Sequence, residues 1–242
     1  MSNASQNFLA GFRLEDAPPP VAHQAKRCLL DLIGVAAAAS GLEIARISGL
    51  VAGTQFGGAA ARLPFDGRRA SEAGVALHTA MTIDGFDAHD GHPLTKGHAG
   101  CSVLAGLLAF AGDGAGLSGG DALGHLVAGY EIAIRAGIAL HATASDYHTS
   151  GAWGAVAVAG VGSRVLGLDP VRTREALGIA EYYGPRSPMM RVIDHPTMVK
   201  DGSGWGAMVG AVAALLADEG FTGASAVTVE DEAVAGYWDD LG

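Results

Sequence analysis

The chain has 242 residues, of which 49% are hydrophobic and 17% charged, a balance that excludes a disordered polypeptide. Its net charge of −10 comes from 25 acidic and 15 basic residues with no basic cluster, which excludes nucleic acid and anionic membrane as partners. Small residues make up the apolar share: 46 Ala and 37 Gly, against 6% aromatics, favour closely packed helices over a sandwich or barrel. Two cysteines, Cys28 and Cys101, are too few for a disulfide framework or a thiolate zinc site and read as buried apolar residues in a reducing compartment. The longest stretch without Asp, Glu, Lys or Arg is Tyr147 to Ser163, 17 residues, short of the roughly 20 that cross a bilayer. With no basic-then-apolar leader at the N-terminus, the expectation is a soluble, cytoplasmic protein.

Taken in order, the pattern predicts an all-α fold, one compact domain of about eight helices over 1–242. A loose arm, 1–20, ends in Pro18-Pro19-Pro20. Helical spacing then covers Val21 to Ala39, and a shorter helix Glu43 to Val51. Phe56 to Arg68 is Gly-rich and irregular, with a hairpin-like Phe65-Asp66-Gly67-Arg68. Ser71 caps a helix that runs towards Asp84 or Phe86. After a polar loop, Asp87 to Gly97, a small-residue helix spans Ala99 to Ala111. A turn, Asp113 to Gly120, precedes the clearest helix, Asp121 to His141. A loop from Ala142 leads to the helix Thr149 to Leu166, and Asp169-Pro170 opens the next, to about Tyr182. Gly184 to Thr197 is a long loop, Gly204 to Glu219 the last strong helix, and 225–242 a weakly structured acidic tail.

Chemistry concentrates between Asp84 and His98, where three Asp, three His and one Lys fall together: Asp84, Asp87, His89, Asp90, His92, Lys96 and His98. Polar groups at a helix–helix junction cost free energy unless paired, so the cluster suggests a site over an ordinary solvated loop. Metal ligation is one reading, though there is no His-Glu-x-x-His and no zinc spacing. Proton transfer is the other, with His titrating near pH 7 and Lys96 or Lys200 attracting a carboxylate. His148 precedes an apolar helix beside Thr149 and Ser150, either a functional group at a helix N-terminus or an incidental neighbour of a cap. Lys200 lies in Val199-Lys200-Asp201-Gly202, without the Gly-Lys-Ser/Thr order of a nucleotide loop. His23, His78, His125, His141 and His195 have no clustered partners in sequence and read as packing or surface residues.

Three blocks in this order resemble the MmgE/PrpD family, which includes 2-methylcitrate dehydratase, cis-aconitate decarboxylase and iminodisuccinate epimerase. They are Asp84 to Gly100; Tyr147-His148-Thr149-Ser150-Gly151 with its Gly/Ala helix and Leu166-Gly167-Leu168-Asp169; and Met198-Val199-Lys200-Asp201-Gly202 leading to Gly220-Phe221-Thr222-Gly223. Leu30-Asp31-Leu32-Ile33-Gly34 also fits. The resemblance implies the family's large helical domain and a catalytic set at Asp84, His98, His148 and Lys200. Asp87, His89 and Lys96 are the accompanying substrate-binding candidates. It implies a small di- or tricarboxylate substrate, a lyase or isomerase reaction, no organic cofactor and a homodimer; the spacing of the cluster adds the expectation of no metal.

Two departures accompany the resemblance. The loop is longer than usual by Gly91-His92-Pro93-Leu94-Thr95-Lys96, which implies a different substrate choice. Family members are also about twice this length, their second domain following near Tyr237 to Gly242. The alternative expectation is therefore a non-catalytic carboxylate-binding module, or one subunit of a split enzyme whose lid comes from a separate chain.

Overall fold

The structure is a computed structural model and describes residues 8–112 and 116–239. The elements are α1 Pro19–Ala39, α2 Glu43–Gln55, β1 Ala61–Arg62, β2 Arg69–Ala70, α3 Glu72–Phe86, α4 Gly100–Ala111, α5 Gly119–Thr143, α6 Gly151–Leu166, α7 Pro170–Tyr183, α8 Met190–Asp194, α9 Ser203–Asp218, α10 Val227–Glu230 and α11 Ala235–Asp239. Among the described residues eight of these helices reach twelve residues or more, so the all-α expectation and its helix number hold. The strands β1 and β2 form a two-residue antiparallel ladder around the Phe65–Arg68 turn.

Local chemistry explains the helix starts. Pro19 and Pro20 occupy the first turn of α1, where a fixed φ and a missing N–H cost nothing, so α1 begins two residues before the expected Val21. The Ser71 hydroxyl accepts the Gly74 N–H at 3.4 Å to open α3. Ser118 and Asp121 exchange side-chain and backbone bonds in a capping box, which starts α5 at Gly119 and not at Asp121. The Asp169 carboxylate accepts the N–H groups of Val171 and Arg172 at 2.8 and 3.0 Å ahead of Pro170. Gly167 ends α6 in the left-handed conformation, φ +69°.

Helix α6 is the axis of the domain. Every residue from Gly151 to Ser163 is buried, and α4, α5, α7 and α9 pack around it. A helix enclosed on all sides has no polar face, which is why its sequence shows no amphipathic stripe. Helix α3 is similarly enclosed by α1, α2, α4 and α9. The abundant glycine serves the α6–α9 seam. A Cβ on Gly206 would sit 2.2 Å from the Gly151 carbonyl, one on Gly151 2.3 Å from the Gly202 carbonyl, and one on Gly210 2.3 Å from the Ala155 carbonyl. These two helices meet backbone to backbone.

Several expectations need correction. The arm is not loose where it is described: Leu9 is buried, and the Arg164 guanidinium donates to the carbonyls of Phe8, Leu9 and Phe12. Residues 1–7 lie outside the described residues, as do Asp113 and the last residues of the tail, 240–242. The tail is structured from 226 to 239. Ala226, Val229 and Val234 are buried, the Trp238 indole N–H donates to the Thr228 carbonyl at 2.8 Å, and Arg135 of α5 donates to the Trp238 carbonyl at 2.9 Å. A single apolar residue every few positions, among acidic ones, hides this docking from a periodicity reading. The long loop contains α8, and α2 runs on to Gln55. Cys101 is buried, but Cys28 is only half-buried. Helix α5 is long and apolar enough to cross a membrane, and its most apolar stretch is 61% buried within the bundle.

Candidate active site

Three loops meet at one end of the bundle, each leading into a helix N-terminus. The 87–99 loop leads to α4, the 144–150 loop to α6, and the 184–202 segment to α9. Backbone bonds fasten them together: Thr149 N–H to the Ser187 carbonyl at 2.9 Å, Met189 N–H to the Tyr147 carbonyl at 2.8 Å, and Gly151 N–H to the Asp201 carbonyl at 2.9 Å. Converging N-termini give this end a positive potential before any side chain is counted.

Asp87 stands at the centre. It follows α3 in the left-handed conformation, φ +57°, which turns the chain out of the helix and leaves its carboxylate exposed. One oxygen lies 4.0 Å from the His98 Nε2 and the other 3.8 Å from the Lys200 Nζ. These residues, with Lys96 and Asp201, line a cavity of about 280 Å³ whose apolar wall includes Met189, Val192 and Ile193 around α8. Lys200 also lines an adjoining, largely apolar cleft of about 350 Å³ with Asp84, Met198 and Trp205.

The His98 ring is oriented by a main-chain partner. Its Nδ1 lies 2.7 Å from the Asp90 carbonyl, which can only accept, so Nδ1 carries a proton and Nε2 faces Asp87. The Asp90 peptide is itself held, its N–H donating to the Asp31 carboxylate of α1 at 3.1 Å. His89 packs on the other side of the ring, centroids 4.1 Å apart. Burial, and then the neighbouring His98, lower the His89 pKa to about 3. Burial against His98 thus favours the neutral form of His89.

Asp84 is 3% exposed at the end of α3. Burial and the nearby Asp201 carboxylate raise its pKa to about 7, against the opposing pull of Ser203 and His98. A carboxyl that titrates near neutrality in the cleft that Lys200 also lines can give or take a proton there.

The segment Gly91 to Lys96 closes on itself. His92 N–H donates to the Gly97 carbonyl at 3.0 Å and Lys96 N–H to the His92 carbonyl at 2.9 Å. Thr95 is fully buried. The Tyr147 hydroxyl donates to the Lys96 carbonyl, and the Lys96 ammonium lies 5.9 Å from the Tyr147 ring centre. The segment thus delivers Lys96 both to the central cavity and to a neighbouring one of about 310 Å³ formed with His141 and Tyr147.

His148 is placed differently from its companions. It pairs with Pro188 in an isolated bridge, and its Nδ1 is buried with no hydrogen-bond partner among the described residues. It does not line the cavity that holds His98 and Lys200. Of the solitary histidines, His141 lies against Tyr147, and His78 is buried with its Nδ1 3.0 Å from the Ser48 hydroxyl. Among the described residues no three His, Cys, Asp or Glu side chains are placed to share a metal ion.

Asp31, Ser150 and Asp201 were not legible as site residues. Asp201 reads in sequence as a capping residue, yet it is 8% exposed and accepts the Ser150 hydroxyl at 2.9 Å. The signal available was its adjacency to Lys200; nothing local pointed to Asp31.

The family model of the MmgE/PrpD N-terminal domain matches residues 5–238. No curated protein matches the chain significantly.

Proposed function

The chain belongs to the MmgE/PrpD family through its N-terminal domain, and on that premise we propose that it acts on a small di- or tricarboxylate as a lyase or isomerase, moving a proton next to a carboxylate. The observation that carries the reading is the Asp87 carboxylate held between His98 and Lys200. Asp87 occupies the position a substrate carboxylate would take, and the groups around it are those such a substrate would meet.

In this reading His98 acts as the base and takes the proton through Nε2 from the carbon beside the carboxylate. Lys200 neutralises the charge that develops on the carboxylate as the carbanion forms. Asp84, poised near neutrality, returns a proton or assists the leaving group from the adjoining cleft. Lys96 binds a second carboxylate at the far wall. His148 has a direct role if the substrate extends past Lys96 towards Tyr147. The experiment is to incubate the protein with 2-methylcitrate, cis-aconitate and iminodisuccinate and follow products by NMR, with Lys200→Met and His98→Asn as controls.

One observation favours a companion reading, in which a further domain or a separate chain covers the site. Met198, Val199 and Trp205 form an exposed apolar rim beside Lys200. A cytoplasmic homodimer is in keeping with the family. If the chain alone binds citrate without turnover, the binding-module or split-enzyme reading takes precedence.

A further inference from the structure

Ser150 occupies the N-cap position of α6, where a serine hydroxyl ordinarily accepts an N–H from the helix's first turn. Here it makes no such bond. Its oxygen accepts the His98 backbone N–H at 3.0 Å, and its proton goes to the Asp201 carboxylate at 2.9 Å. The hydroxyl is thus withheld from the helix and spent on joining two loops that are remote in sequence. The surroundings leave it no slack: Ser150 is 1% exposed, and a Cβ on Gly97 would lie 2.5 Å from its oxygen. Behind it, Gly151 N–H fixes the Asp201 carbonyl at 2.9 Å. His98 and Lys200 are the chain neighbours of these tethers, His98 directly and Lys200 through the peptide it shares with Asp201.

We propose that Ser150, acting through Asp201, is a positioning residue that sets the distance between the His98 imidazole and the Lys200 ammonium across the cavity. It touches neither the cavity nor a substrate; its effect is exerted through the two loops it joins. The kinetic part of this inference rests on the proposed function, while the structural part does not.

The test uses the full chain with Ser150→Ala and, as a gentler change, Ser150→Cys, which keeps the shape with a weaker donor and acceptor. Amide exchange by NMR is read first. The His98 amide is expected to exchange at least tenfold faster in Ser150→Ala, with Val156 and Val158 in the middle of α6 unchanged; equal His98 rates would overturn the proposal. With whichever of the three acids the wild type turns over, kcat is expected to fall ten- to a hundredfold with KM within about threefold, and Ser150→Cys to fall between. An unchanged kcat, or a loss confined to KM, would overturn it. If the wild type turns over none of them, the proposed function fails, and the exchange measurement still decides the role of Ser150. If Ser150→Ala does not fold, the same two readings are taken on Ser150→Cys.

Discussion

Lys200 and His98 approach one carboxylate from its two sides, at 3.8 and 4.0 Å, although they belong to loops that enter different helices. Replacing either should remove function without touching the core. Lys200→Met and His98→Asn are expected to lower turnover by about 10²- to 10⁴-fold, the range of a lost acid–base or charge-stabilising group, with unaltered far-ultraviolet circular dichroism.

Asp87→Asn should act in the opposite sense on binding. Asn tolerates the left-handed φ of +57° at this position, so the backbone is kept. An exposed ion pair is worth up to about 1 kcal/mol, so freeing Lys200 should tighten citrate by up to about fivefold. Isothermal titration checks this; weaker binding would give Asp87 a direct part in holding substrate.

Asp84 gives a pH signature. Its folded pKa of about 7 is above the ordinary 3.8, so ionisation opposes folding. The cost is absent below about pH 4, grows as pH rises, and is complete above about pH 7, where it reaches roughly 4 kcal/mol. Asp84→Asn should therefore be more stable than wild type by a margin that widens from pH 4 to pH 8, in urea titrations at each pH, while turnover falls. A margin independent of pH would contradict the account.

The α6–α9 seam predicts a loss where helix propensity predicts a gain. Ala is the better helix former by about 1 kcal/mol, but the Cβ of Gly206→Ala would meet the Gly151 carbonyl at 2.2 Å. Overpacking of this kind costs about 1–3 kcal/mol. A lowered urea midpoint is expected, and because α9 starts beside Lys200, a lowered turnover with it.

Trp238 tests the docked tail. It is 9% exposed and bonded to Thr228. Trp238→Ala should cost about 3 kcal/mol, read from the urea midpoint, and should speed amide exchange through 226–238.

The legible part of this protein was what repeats or what caps. Ser71 and Asp169-Pro170 announced helix starts, and the Ala/Gly content announced close packing. The buried helices α3, α4, α6 and α9 were found through continuous small apolar runs, since helices enclosed on all sides carry no stripe. Asp84, Asp87, Lys96, His98 and Lys200 stood out as charge in apolar surroundings, and they do meet at one end of the bundle. What escaped was what depends on distant partners. Trp238 docks on α5 through contacts no local pattern records. Ser150 sits at a helix start and has the look of a cap, but its bonds run to His98 and Asp201. His89 stands out as one of a cluster of polar residues, and no local pattern records its burial against the His98 ring. His148 shares a block with Ser150 and pairs with Pro188, and it is not among the residues that line the cavity.

Deuterium uptake is the most direct measurement of the central claim, because decarboxylation and epimerisation place a proton from the protein on carbon, and a dehydratase exchanges the proton it removes when the step reverses. The three acids are incubated in D₂O with wild type, His98→Asn and Lys200→Met, and carbon-bound deuterium in substrate and product is read by NMR. The account predicts uptake at a carbon adjacent to a carboxylate for at least one acid with wild type, lost in both variants. No uptake with wild type, or uptake that persists in His98→Asn, would contradict it.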